Sequence, residues 1–245
     1  MIQMNDRTAE LSDAISAAAS AKRSLQIVGG GSKLFYGREP EGEVLAVGDH
    51  TGVTVYDPTE LVVTVRAGTR LSELAEVLRR ERQMLPFEPP LFGPHATIGG
   101  TVACGLSGPS RPYRGAVRDF VLGVELLNGR GEQLRFGGQV IKNVAGYDVS
   151  RLMTGAMGTL GVILDVSIKV HPLPETEKTL CYELTEQQAL KKMNEVAGIH
   201  LPLTGVVSYT PLTLPTLCSV TPSVVDSASS YKSIYLNTLR DLLPL

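Results

Sequence analysis

Glycine restricts this chain more than any other residue, because 23 of the 25 glycines lie between Gly29 and Gly161 and the first 28 residues contain none. Glycine reaches positive φ without strain and lets another group approach the backbone. Its concentration in one region calls for many tight turns or for a ligand pressed against main chain. The distribution alone does not separate the two, since a turn-rich sheet protein satisfies it equally.

The remaining composition bounds the class. With 245 residues, 43% of them hydrophobic, the chain can bury a core in one large domain or two modest ones without a disulfide or metal. Cys104, Cys181 and Cys218 are far apart and never in C-x-x-C spacing, which fits a reducing, cytoplasmic setting. Charges nearly cancel at 23 Lys+Arg against 25 Asp+Glu, with no basic stripe suited to nucleic acid. Apolar runs such as 61–65 and 161–164 fall far short of the roughly 20 residues of a membrane-spanning helix. Residues 1–7 lack a signal-peptide pattern, so membrane attachment is expected only through a partner.

Periodicity gives a mixed set of elements. Leu11, Ile15, Ala18 and Ala19 share one face of a first helix, with Asp6 or Thr8 as cap and an end near Lys22. A short strand over 24–28 runs into Gly29-Gly30-Gly31-Ser32, and 43–47 and 61–65 read as further strands. Leu71, Leu74, Ala75 and Leu78 form the apolar face of a second helix that ends in Arg79, Arg80 and Arg82, where positive charge suits the helix dipole. Residues 86–114 read as ordered loop with a short helix near 101–104. A strand over 117–127 turns at Asn128-Gly129 toward another at 132–136. Asp148 caps a helix through Met153, and alternation over 164–170 gives a half-buried strand. Helices and hairpins together predict an α+β fold. Pro172 and Pro174 mark a boundary, 186–196 reads as one more helix, and the sequence beyond Leu201 shows no sustained period.

Three glycine-rich segments are candidates for chemistry. Consecutive glycines at Gly29, Gly30 and Gly31 let backbone N–H groups converge on an anion, with the Ser32 hydroxyl as a further donor. A plain glycine turn explains the same four residues. A Rossmann fingerprint is not met, because Leu34 stands where the third glycine belongs, and no G-K-[ST] of a Walker loop occurs. The second segment, 97–105, is small at nearly every position, so a flat ring could lie against it; the third has Gly155, Gly158 and Gly161 before a strand. Each also reads as a packed turn. His50, His95, His171 and His200 show no metal-ligand spacing, there is no G-x-S-x-G elbow, and Cys104 reads as small packing.

In order and spacing, these segments resemble the FAD-binding domain of the vanillyl-alcohol oxidase, or PCMH-type, family. The resemblance rests on Gly29 to Ser32, Asp57-Pro58-Thr59, Ala67-Gly68, Ala96-Thr97-Ile98-Gly99-Gly100, Arg118-Asp119-Phe120-Val121-Leu122-Gly123 and Gly158-Thr159-Leu160-Gly161-Val162-Ile163. Met84-Leu85-Pro86-Phe87-Glu88-Pro89-Pro90, Ala103-Cys104-Gly105-Leu106 and Lys142-Asn143-Val144-Ala145-Gly146-Tyr147-Asp148 are similar to the FAD-binding subunits of glycolate oxidases.

The resemblance implies a two-lobed PCMH-type domain over 1–172 with FAD between its lobes. It also implies the start of a cap-like region over 173–203 and a shortened segment over 204–245, which is expected to be atypical and poorly ordered. A shifted reading frame or a natural truncation would explain the tail. Gly29, Gly30, Gly31 and Ser32 would hold the pyrophosphate; Thr97, Gly99, Gly100, Ala103, Gly105 and Gly108 would face the isoalloxazine, and Gly161 and Val162 the flavin or adenine. Ser32 stands where some relatives carry a covalently linked histidine, so non-covalent FAD is expected. Arg111 or Lys142 would stabilise the reduced ring.

The implied activity is oxidation of a small 2-hydroxy acid, glycolate to glyoxylate, with electrons leaving through a second FAD-containing subunit and an iron-sulfur subunit. The paired histidines and glutamate of capped dehydrogenase relatives are not found, so no catalytic residue is assigned. A non-catalytic FAD-carrying or scaffold subunit is the alternative.

Overall fold

A computed structural model describes residues 4–138, 146–198, 203–209 and 232–239. The chain divides into two compact units, one of residues 1–108 and 115–173, the other of 109–114 and 174–245. Residues 109–114, which the sequence reading kept in the first domain, thus fall in the second unit.

In the first unit, helix α1 (Thr8–Ser20) buries Leu11, Ile15 and Ala18 and leaves Ala19 exposed. Its Asp6 carboxylate accepts the Thr8 N–H at 3.0 Å. Strands β1 (Leu25–Val28) and β2 (Glu43–Ala46) pair in parallel. β3 (Val53–Asp57), absent from the sequence expectations, and β4 (Val62–Arg66) form a hairpin around the Asp57 turn, where the Asp57 carboxylate accepts the N–H groups of Thr59 and Glu60. α2 (Leu71–Arg80) buries Leu71, Leu74 and Leu78. A two-residue β5 (Gln83–Met84) follows, and then α3 (Ile98–Cys104), which starts three residues before the expected helix because Thr97 caps it.

The helical turn α4 (Arg111–Arg114) belongs to the second unit. Residues 117–120, expected as strand, instead form the helical turn α5 (Val117–Phe120), because the Asp119 carboxylate reaches back to accept the Ala116 N–H at 2.9 Å. Strand β6 (Val121–Leu127) therefore begins at Val121 and pairs with β7 (Gln133–Gly137) across a loop in which Asn128 Oδ1 accepts the N–H groups of Arg130 and Glu132. α6 (Val149–Met153), capped by Asp148, leads to β8 (Val162–Lys169) and the short β9 (His171–Pro172).

The main sheet is antiparallel in the order β3-β4-β8-β6-β7. Along β8, Asp165 pairs with Glu125 and Ile163 with Leu126, which leaves Leu164 as the extra residue of a bulge. A bulge shifts which side chains share a face. Accordingly Ile163, Val166 and Ile168 join the core under α2 and α3, while Val162 and Leu164 join a second core with Leu11, Ile15, Leu45 and Val47. One strand thus fastens both layers of this unit.

His50 ties the N-terminal segment to this frame. It is 2% exposed, its Nδ1 accepts the Arg7 N–H at 3.1 Å, and its Nε2 lies 3.4 Å from Asp165 Oδ1. Asp6 adds an ion pair to Arg66 at 2.6 Å.

The second unit holds β10 (Glu177–Leu184), α7 (Glu186–Ala197), β11 (Leu203–Tyr209) and β12 (Lys232–Leu239), with the strands antiparallel in the order β10-β12-β11. Thr185 and Gln188 form a reciprocal cap on α7. Ala189, Val196 and Leu203 make its core. Residues 203–209 and 232–239 are strands that pair with each other; the rest of the segment expected as an atypical tail over 204–245 lies outside the described residues, as do Lys142, His200 and Cys218. No described helix is long and apolar enough to cross a membrane.

The Asp6 contacts carry a pH signature. Backbone and side-chain hydrogen bonds from Thr8, aided by Arg66, hold its carboxyl below the ordinary 3.8. A carboxyl lowered by folding adds stability above its unfolded value, and that stability is lost as pH falls through the folded value. Asp6→Asn should therefore lower the melting temperature at neutral pH, and thermal scans should show the gap closing below pH 3.8.

Candidate functional site

A cavity of about 510 Å³ opens within the first unit, between β1 with the loop after it, α3 and the turn before β8. That volume falls in the range of small-molecule and cofactor sites. Gly29, Gly30, Gly31 and Ser32 line it from the loop after β1, Thr97, Gly99, Gly100 and Ala103 from the start and face of α3, and Gly161 from the last turn. Gly105, Gly108 and Val162 do not line it. Gly105 closes α3 in the left-handed conformation, with its N–H donating to Thr101. A Cβ on Gly108 would meet the Glu88 carbonyl oxygen at 2.3 Å, and Val162 is buried with Leu11 and Leu45.

The glycine loop is itself held by main chain. A Cβ on Gly30 would lie 1.5 Å from the His95 carbonyl oxygen, and one on Gly29 would lie 2.7 Å from Thr97 Oγ1. Behind it, Gly48 faces the Gly29 carbonyl, and Gly68 packs on the carbonyls of Val47, Gly48 and His50. The Cβ direction of Gly30 thus points into protein, so this glycine lets two loops meet. Gly31 differs, with φ of +67° and only Leu34 nearby.

This packing divides the donors. No acceptor among the described residues takes the N–H groups of Gly30, Gly31 or Ser32. In contrast, Ile98 N–H donates to the Thr69 carbonyl at 3.0 Å, Gly99 N–H to Ala67 at 2.8 Å and Gly100 N–H to Thr97 Oγ1 at 3.2 Å. Unpaired amides mark where a ligand anion would sit. The first loop therefore offers donors, whereas α3 offers a smooth wall of small residues. Leu25, Ile27, Val28, Val47, Ala67, Met153, Met157 and Ile163 make the remainder of the lining largely apolar. Anion donors beside a flat apolar wall fit a flavin nucleotide.

Lys33, Tyr36, Arg38, Glu39 and Cys104 are the titratable residues that line this space. Lys33, which the sequence reading passed over, lines the cavity half-buried, with Nζ 3.4 Å from Ser32 Oγ. Burial lowers its proton affinity. Burial likewise pushes the Cys104 thiol up, against a smaller opposite pull from Lys33, which makes Cys104 a neutral wall residue rather than a thiolate nucleophile. The signal for Lys33 was its place directly after Ser32. Arg111 belongs to the second unit and is not a lining residue, and Lys142 lies outside the described residues.

The FAD binding domain family matches residues 5–137. The chain is 48% identical over 209 residues to glycolate oxidase subunit GlcE of Escherichia coli, covering 85% of this chain and 60% of that protein. It is 32% identical over 180 residues to glycolate oxidase subunit GlcD of Bacillus subtilis, covering 72% and 38%. It therefore spans less than two thirds of the length of either. A solved structure of alkyldihydroxyacetonephosphate synthase superposes with a TM-score of 0.75 at 18% identity, covering 94% of this chain and 47% of that one, so the two share a fold. On the matched motifs, the shared α+β fold and the cavity they build, this chain belongs to the FAD-binding domain family.

Proposed function

We propose that this chain is the FAD-carrying subunit of a 2-hydroxy-acid oxidoreductase that oxidises glycolate to glyoxylate and passes the electrons to a second FAD-containing subunit and an iron-sulfur subunit. The observation that carries the cofactor part is the set of unpaired N–H groups at Gly30, Gly31 and Ser32 beside the small-residue wall of α3. The names of the GlcE and GlcD relatives support the substrate and the assembly. A cytoplasmic location, with membrane contact only through partners, accompanies this reading.

Bound FAD supplies the hydride acceptor. The chain's own residues bind and orient it: the first loop would grip the diphosphate, and Thr97, Gly99, Gly100 and Ala103 would let the ring lie against backbone. The apolar lining would keep water from the ring's face. Ser32 offers no imidazole for a covalent link, so the cofactor is held by contacts alone.

Purified chain should be yellow, and acid precipitation should release intact FAD into the supernatant. A coloured pellet would contradict non-covalent binding. Anaerobic glycolate should then bleach the flavin absorbance once the sister subunits are present. Bleaching by the chain alone would place the whole half-reaction here, and flavin that never bleaches in the full assembly would leave this chain as a carrier or scaffold.

A charge-specific variant tests the loop. Asp and Asn both tolerate the left-handed backbone of Gly31, but only Gly31→Asp sets a carboxylate beside the diphosphate. FAD affinity measured by flavin fluorescence should fall by about tenfold or more in Gly31→Asp relative to Gly31→Asn. Equal affinities would move the phosphate site elsewhere.

A further inference from the structure

We propose that the Lys33 ammonium is a diphosphate-binding group that completes the main-chain donors of Gly30, Gly31 and Ser32. The proposal rests on the reading of the cavity as an FAD site and goes beyond it by assigning a charged side chain to the nucleotide's anion.

Lys33 is placed for this by its loop. It follows the three unpaired amides, lines the same cavity, and its Nζ sits 3.4 Å from the Ser32 hydroxyl. Arg66 pairs with Asp6 at 2.6 Å and Arg23 with Glu43 at 2.6 Å; Arg38 also lines the cavity but is exposed, whereas Lys33 is half-buried within the donor loop. No described carboxylate lies within 4.0 Å of Lys33 Nζ, although Glu39 lines the cavity too. Cys104, its neutral neighbour, supplies no counter-charge.

A half-buried ammonium without a counter-ion is disfavoured until an anion arrives. Three N–H donors and an ammonium on one short stretch of chain match a group bearing two negative charges. An anionic reduced flavin ring presents the same chemistry from the other end of the nucleotide. The position of Lys33 within the donor loop favours the diphosphate.

Proton linkage follows with a definite sign. Burial holds Lys33 below its ordinary 10.5 in the free protein, and a bound dianion raises it. The lysine's contribution to affinity is then complete below the free-site value and lost as pH rises through the bound-site value.

The test compares apoprotein binding of FAD, ADP and riboflavin by calorimetry in wild type, Lys33→Met and Lys33→Arg. Lys33→Met should weaken FAD and ADP by about 10- to 100-fold and change riboflavin by no more than about twofold. Lys33→Arg should keep most of the affinity and abolish its decline at alkaline pH. Unfolding of apo Lys33→Met should occur no lower than in wild type, because the change removes a desolvated charge; Lys33→Gln gives the same comparison if methionine disturbs the loop. Unchanged FAD and ADP affinities, or a riboflavin loss equal to that of FAD, would overturn the assignment. Wild type that takes up no FAD would instead refute the cofactor reading on which it rests.

Discussion

The contact on which the site depends is peptide against peptide. The Gly30 backbone rests on the His95 carbonyl so closely that any side chain would collide with it, and Gly48 and Gly68 repeat the arrangement one layer behind. No side chain intervenes in this stack, so the loop after β1 is fixed by the hard limits of van der Waals contact. Its remaining N–H groups then find no acceptor among the described residues. The loop's outward polarity is thus a consequence of how tightly its back is packed.

The frame behind that loop is similarly economical. The bulge at Leu164 lets β8 serve two cores, one with α2 and α3 and one with α1 and β2. The elements that carry the two walls of the cavity therefore share a strand, and their separation is set by sheet geometry. His50, with one nitrogen accepting from Arg7 and the other facing Asp165, fastens the N-terminal segment to the same frame.

Much of this was legible in the residues. The apolar faces of α1 and α2, the Asp148 cap and the hairpin at Asn128 follow from local period and turn chemistry, and the order of the glycine segments pointed to the family. What failed did so for identifiable reasons. Residues 117–120 have strand-like composition, yet one carboxylate, Asp119, winds them into a turn. The strands of 203–209 and 232–239 exist through pairing with each other across a long separation, which no local window registers. Among the glycines, Gly105 and Gly108 do not line the cavity, and composition cannot say which side of a backbone the missing Cβ would occupy. The partial burial of Lys33 and the lack of a described carboxylate near it are tertiary properties that no local window registers.

Amide hydrogen exchange tests the central claim most directly. In the apoprotein the N–H groups of Gly30, Gly31 and Ser32 should exchange rapidly and become protected when FAD binds, while those of Gly99 and Gly100, which already donate within the protein, should change little. Saturation with FAD that leaves the first three amides unprotected would contradict the account.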